Sequence, residues 1–271
     1  MNVKCPYCGK EYPEVSRYCP YCGSPNPSYK PKEEKKLEAR RQLLLFAMGF
    51  IGFNVIGTLI QIIFILVGRG SFGYDDAALK TYLESAPVVM FVNSIGYSIT
   101  FVVLLFIAKP NLQTLLKSFK NKRSYIGALL ALAIIYSFTL FYSILLALVA
   151  PDVVENGNQE TLVSVSKVYP LIAFIIIGIM GPVVEEMTYR VGLFDVMKRK
   201  NKTFAYVATI IIFTFIHFDF EADNLVNELL NIPFYVSAAF AFTYVYDKYG
   251  FAASLTAHMF NNISSLIQIL I

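Results

Sequence analysis

The sequence predicts an all-α, polytopic membrane protein of about seven transmembrane helices, preceded by a small four-cysteine zinc ribbon. Three observations lead there. Of 271 residues, 56% are hydrophobic and only 15% charged, with a mean hydropathy of +0.55, too apolar for an ordinary soluble domain. Apolar runs of about 20 residues, the length that crosses a bilayer, recur along the chain. All four cysteines stand near its start, at positions 5, 8, 19 and 22.

Taken in order, residues 1–26 form the ribbon. Cys5, Cys8, Cys19 and Cys22 lie in two copies of CPYCG. In each copy the glycine lets backbone amides turn toward the sulfurs, and four thiolates make a closed tetrahedral zinc site. The alternative, two disulfides, suits an exported domain, whereas a segment in the reducing cytosol favours zinc. With no position open to water, such a zinc is structural and holds together a fold too small to do so by burial. Docking a protein partner, sensing zinc or redox state, and capping the tail are the roles open to it. Residues 27–41 read as a charged linker running into a helix start at the membrane surface.

Residues 42–271 make the transmembrane domain. Its apolar runs fall at roughly 42–68, 86–108, 125–150, 169–197, 203–220, 229–247 and 251–271, the count in the last three being open by one. The first run is not a signal peptide, because a long charged, cysteine-bearing segment precedes it. No cleavage is expected.

Orientation follows from Lys and Arg in the short loops. One set holds Lys30, Lys32, Lys35, Lys36, Arg40 and Arg41, then Lys109, Lys117, Lys120, Lys122 and Arg123, then Lys198, Arg199, Lys200 and Lys202, then Lys248. The other holds Arg69, Lys80 and Lys167. The N-terminus is therefore expected in the cytosol, and seven spans put the C-terminus outside. The net charge of +4 mostly records this bias, so no nucleic-acid partner is expected.

Ionisable residues inside membrane spans are costly and mark function. Glu185, Glu186 and Arg190 lie in the fourth run, His217 in the fifth, and His258 with Asn262 in the seventh. At about 1.5 Å per residue, Glu185 and His217 lie roughly 20 Å from the cytosolic helix ends, His258 and Asn262 roughly 11 and 17 Å. These depths predict one buried pocket, reached from the cytosol. Glu186 and Arg190, at i,i+4, share a helix face and pair, which leaves Glu185 about 100° away for other work. His258 and Asn262, also i,i+4, can donate to a single oxygen. Pro182 removes a backbone bond and predicts a kink beside the glutamates. A carboxylate and an imidazole there can deprotonate a water, while a second imidazole and a carboxamide stabilise the oxyanion that develops.

EEMTYR (Glu185 to Arg190), FTFIH (Phe213 to His217) and HMFNN (His258 to Asn262) match the patterns E-E-x-x-x-R, F-x-x-x-H and H-x-x-x-N. With all three in order, the chain resembles the CPBP family, the CAAX proteases and bacteriocin-processing (Abi) enzymes, over a motif-bearing core at about 169–271. Each motif is weak alone; together within spans they are specific. The resemblance implies an intramembrane glutamic endopeptidase in which Glu185 and His217 activate water and Glu186 supports them. Arg190 would hold the glutamates, and His258 with Asn262 would form the oxyanion site. Tyr189 stands where the family often has Phe. No catalytic metal is implied, although a Glu and two His could ligate zinc. The implied substrate is a membrane-associated peptide or protein, of CAAX type or a bacteriocin or pheromone precursor. The ribbon ahead of a membrane core resembles a bacterial arrangement, which points to a bacterial cell membrane.

Two rivals remain. A catalytically silent scaffold or self-immunity protein would keep the same fold. A proton-coupled transporter would also place carboxylates and histidines at mid-depth, but here the first half carries no intramembrane charge to form a repeat.

Overall fold

The computed structural model describes residues 2–29 and 37–271. They fall into two compact units, split after Lys36. Residues 30–36, with Lys30, Lys32, Lys35 and Lys36 of the expected linker, lie outside the described residues.

In the first unit, strands β1 (Asn2–Lys4) and β2 (Glu11–Pro13) pair antiparallel with Val3 opposite Tyr12. Each CPYCG folds as a knuckle: the Gly9 amide donates to the Cys5 carbonyl and the Gly23 amide to that of Cys19, both at 2.9 Å. Gly9 and Gly23 have φ of 75° and 72°, a left-handed conformation open to glycine at little cost. Tyr12 is buried against Cys5 and Cys19.

The second unit is a helical bundle: α1 (Ala39–Gly70), α2 (Asp76–Leu83), α3 (Ala86–Ala108), α4 (Leu112–Lys117), α5 (Lys122–Val149), α6 (Gly157–Val168), α7 (Pro170–Lys198), α8 (Lys202–Phe215), α9 (Leu225–Tyr249) and α10 (Phe251–Leu270). Asparagine side chains start several of them. Asn156 accepts from the Gln159 amide, Asn201 from Phe204 and Asn224 from Asn227, satisfying amides that have no partner in a helix's first turn.

Five helices, α1, α3, α5, α7 and α9, are long and apolar enough to cross a bilayer. Exposed Leu59, Leu66, Val102, Phe106, Leu140 and Leu148 are the surface such helices present to lipid. The sequence expectation of seven runs differs at α8 and α10. α8 is a 14-residue helix that stops at Phe215, so His217 sits just past its end rather than within a span. α10 has 20 residues, but His258, Asn261, Asn262 and Gln268 dilute its apolar content.

The helix bearing the glutamates is irregular. α7 runs as wider π-helical turns over Phe174–Met180 and again over Glu186–Phe194, with an α-helical piece, Gly181–Glu185, between them. Pro182, lacking an N–H, lies at the junction where the wide turns give way. Two glycines let α1 lie against α7. A Cβ on Gly192 would stand 2.9 Å from the Phe46 amide nitrogen, and one on Gly49 would overlap the Thr188 side chain.

The basic loops gather at one end of the bundle. There Arg199 donates to the Leu37 carbonyl and to Gln42, Arg41 to the Ile107 carbonyl, and Ser124 to the Tyr249 carbonyl. Asp247 pairs with Lys198 and Lys202.

Candidate active site

Glu186, on the wide-turned part of α7, is fully buried. It accepts from Ser254 Oγ at 2.5 Å and lies 2.9 Å from His258 Nδ1 and 3.1 Å from Arg190 Nη1. Three partners from two helices thus converge on one carboxylate, the arrangement a buried charge requires. Arg190, also fully buried, stacks 4.4 Å from the Phe213 ring and 5.6 Å from Phe242. This knot ties α7, α8, α9 and α10 together.

Glu185 takes the other direction. Its Oε1 accepts from Tyr97 at 3.3 Å, while Oε2 has no hydrogen-bond partner among the described residues and lies 3.7 Å from His258 Nε2. The His258 ring stacks on Phe242 at 4.4 Å. Because Glu186 is an acceptor, the proton belongs on Nδ1 of His258, and Nε2 is turned toward Glu185.

His217 is anchored in the same manner. Its Nδ1 lies 2.8 Å from the Phe213 carbonyl and its ring stacks on Tyr235 at 4.8 Å, so among the described residues Nε2 is again the nitrogen without a hydrogen bond. Asn262 donates to the Ile177 carbonyl at 3.1 Å, and its own oxygen accepts from Asn261. That fixes the amide and leaves one N–H of Asn262 uncommitted.

Glu185, His217, His258 and Asn262 line one cavity of about 230 Å³. Glu186 and Arg190 stand behind its wall. A second groove shares Glu185, His217, Tyr97, Asn93 and Asn158 with the first, and continues between Phe50–Val55 of α1 and the segment Phe215–Phe220. The cavity lining runs away from the basic end, through Asn158 and Gln159 of α6 and Ile269 of α10, because α8 is short and α6 folds back over the opposite end.

Several partners were not read from the sequence. Tyr97 and Ser254 contact the glutamates from distant helices, and neither sits in a pattern that announces it. Glu228 is different. This buried carboxylate accepts from the Gly157 amide at 2.8 Å and the Asp219 amide at 3.2 Å, and lies 3.5 Å from Asn156 Nδ2, which itself donates to the His217 carbonyl at 3.1 Å. A glutamate at the start of an apolar helix was the available signal. Asn54 and Asn93 donate to carbonyls one turn back on their own helices, Phe50 and Val89.

In the ribbon the four Sγ atoms lie within 4.8 Å of one another, with Cys5–Cys22 at 3.6 Å and Cys8–Cys19 at 3.7 Å. Tetrahedral zinc with Zn–S near 2.3 Å needs sulfurs about 3.8 Å apart, so these residues fit that ion. Hydrogen bonds from the Ser24 hydroxyl and amide lower the Cys22 thiol to about 6. Cys8 is assisted by the Lys10 amide, yet desolvation and the neighbouring thiols push it up to about 12. Four thiolates this close need a cation among them.

The type II CAAX prenyl endopeptidase Rce1-like family model matches residues 167–264, and a zinc-ribbon domain model matches 4–26. The chain is 27% identical over 146 residues to UPF0177 protein YvdC of Lactococcus lactis subsp. lactis (strain IL1403), covering 52% of this chain and 53% of that protein. The chain thus spans about half the length of the curated relative it matches. No solved structure matches.

Proposed function

We propose, for a chain that joins a zinc-ribbon domain to an Rce1-like CAAX-protease domain, that it is an intramembrane endopeptidase of the glutamic type. It would hydrolyse a peptide bond of a membrane-associated peptide or protein. The observation that carries the reading is the shared cavity: Glu185 from α7, His217 from just past α8, and His258 and Asn262 from α10 line one space.

Glu185 Oε2 takes a proton from a water held between it and His217 Nε2, and the water oxygen attacks the scissile carbonyl. The carbonyl oxygen becomes an oxyanion. His258 in its protonated form, held by Glu186 on Nδ1, donates from Nε2, and the uncommitted N–H of Asn262 donates beside it. Collapse of the tetrahedral intermediate breaks the C–N bond, and the proton held by Glu185 passes to the leaving amine. Glu186 and Arg190 position His258 and do not touch substrate. The step draws on these side chains without a catalytic metal, whereas zinc belongs to the ribbon.

The test is cleavage of a peptide library by purified protein, wild type beside Glu185→Ala, with and without a strong chelator. Cleavage lost in the variant and kept under chelation is the expected result. Equal cleavage by both proteins overturns the assignment of Glu185, and loss under chelation in a Cys22→Ser protein that still cleaves overturns the metal-free reading.

A further inference from the structure

We propose that the catalytic cavity is entered from the face opposite the basic loops, outside the cytosol, and that its substrate is an exported polypeptide segment held at the outer half of the bilayer. This rests on the peptidase reading of the cavity and adds where its substrate comes from.

Depth along the helices is the first argument. α10 begins at Phe251, next to Lys248 and the basic end. At 1.5 Å per residue, His258 lies about 11 Å and Ile269 about 27 Å from that end, and both line the cavity. α3 runs the other way. Met90 and Asn93 line the cavity near its start at Ala86, whereas Lys109 follows its far end. α6, which supplies Asn158 and Gln159, belongs wholly to the connection between α5 and α7 at the non-basic end. The floor of the cavity is therefore at His258 and its walls rise toward the opposite face.

Packing is the second. On the basic side of the His258–Glu186 contact, Met187, Arg190, Val191 and Phe194 are at most 1% exposed, and Leu45 and Leu104 close against the same helix at 0%. Beyond that layer, Asp195 accepts from Tyr246 and Gln42, and Asp247 is paired with two lysines. A peptide would have to break this plug to arrive from the basic face.

The walls favour a peptide. Asn93, Asn158, Gln159, Asn261 and Ser265 offer neutral donors and acceptors for a backbone, while the adjoining groove presents Phe50, Phe53, Phe215 and Phe218. An extended chain lying along both would put a polar stretch on one side of Glu185 and apolar side chains on the other. Since Lys and Arg accumulate in cytosolic loops, the open face is the outer one.

The native cysteines all belong to the ribbon, so single added cysteines report cleanly above the wild-type background. Gln159→Cys and Thr161→Cys mark the cavity, and Lys200→Cys marks the basic loops. Each full-length variant is treated with a membrane-impermeant maleimide in intact spheroplasts and again after permeabilisation. The expected result is full labelling of both cavity variants in intact spheroplasts and of Lys200→Cys only after permeabilisation. Cavity cysteines that react only after permeabilisation, or never, overturn the proposal, as does Lys200→Cys reacting in intact spheroplasts. Labelling needs no catalysis, so repeating it in Glu185→Gln separates this proposal from the peptidase reading. A protein that never cleaves but labels as expected sinks only the latter.

Discussion

Nδ1 of His258 lies 2.9 Å from Oε1 of Glu186, joining α10 to α7 at the floor of the cavity. The contact gives two adjacent glutamates different work. Glu186 is enclosed by His258, Ser254 and Arg190, whereas one oxygen of Glu185 has no hydrogen-bond partner among the described residues.

Removing the two therefore has opposite consequences. Glu185→Gln is expected to abolish cleavage while the melting temperature in detergent stays near wild type. Glu186→Ala leaves Arg190 buried without its counter-charge, which costs about 3–5 kcal/mol in protein interiors, and the variant melts early or fails to fold. Parallel melting and cleavage curves decide it. Similar melting of the two variants would contradict the division of roles.

Arg190→Lys is the second. The guanidinium spans Glu186 and two aromatic rings, and a lysine keeps the charge while losing the planar face that stacks. A loss of about 1–2 kcal/mol is expected from the cation–π contacts, read as a lower melting point with weakened cleavage. An unchanged melting point would remove stacking from the account.

Glu228 reaches the His217 carbonyl through Asn156. Glu228→Ala frees the Gly157 and Asp219 amides and loosens the loop on which His217 sits. Expected is a fall in kcat of about tenfold, roughly 1.4 kcal/mol of barrier, with KM little altered and partial rescue by Glu228→Gln. If KM rises while kcat holds, Glu228 serves binding rather than the placement of His217.

What the sequence showed and what it hid follow from range. The Glu186–Arg190 pair is one helical turn long and could be read from spacing, as could the two cysteine knuckles. The membrane class followed from composition. The His258–Glu186 contact joins residues 72 apart, and pairing across helices depends on rotations that periodicity does not carry. The run of the pocket along the bundle was hidden for a similar reason. Counting rise per residue gave depth along each helix, but α8 ending at Phe215 and α6 folding over the site are tertiary facts. The wide turns of α7 likewise have no local signature beyond Pro182.

The ribbon yields the last prediction. Its sulfurs are spaced for one zinc, and in so small a unit metal binding is itself the folding free energy. Purified protein should contain about one zinc per chain, which a strong chelator or Cys19→Ser removes, with protease nicking then confined to the first 29 residues. The membrane domain has its own buried clusters and the side chains proposed for catalysis all belong to it, so peptide cleavage in detergent should persist after the zinc has gone. Zinc analysis, limited proteolysis and cleavage are measured on one sample. Cleavage falling in step with zinc would show that the two units are energetically coupled, and would force a regulatory or catalytic role onto a metal that the four-thiolate geometry marks as structural.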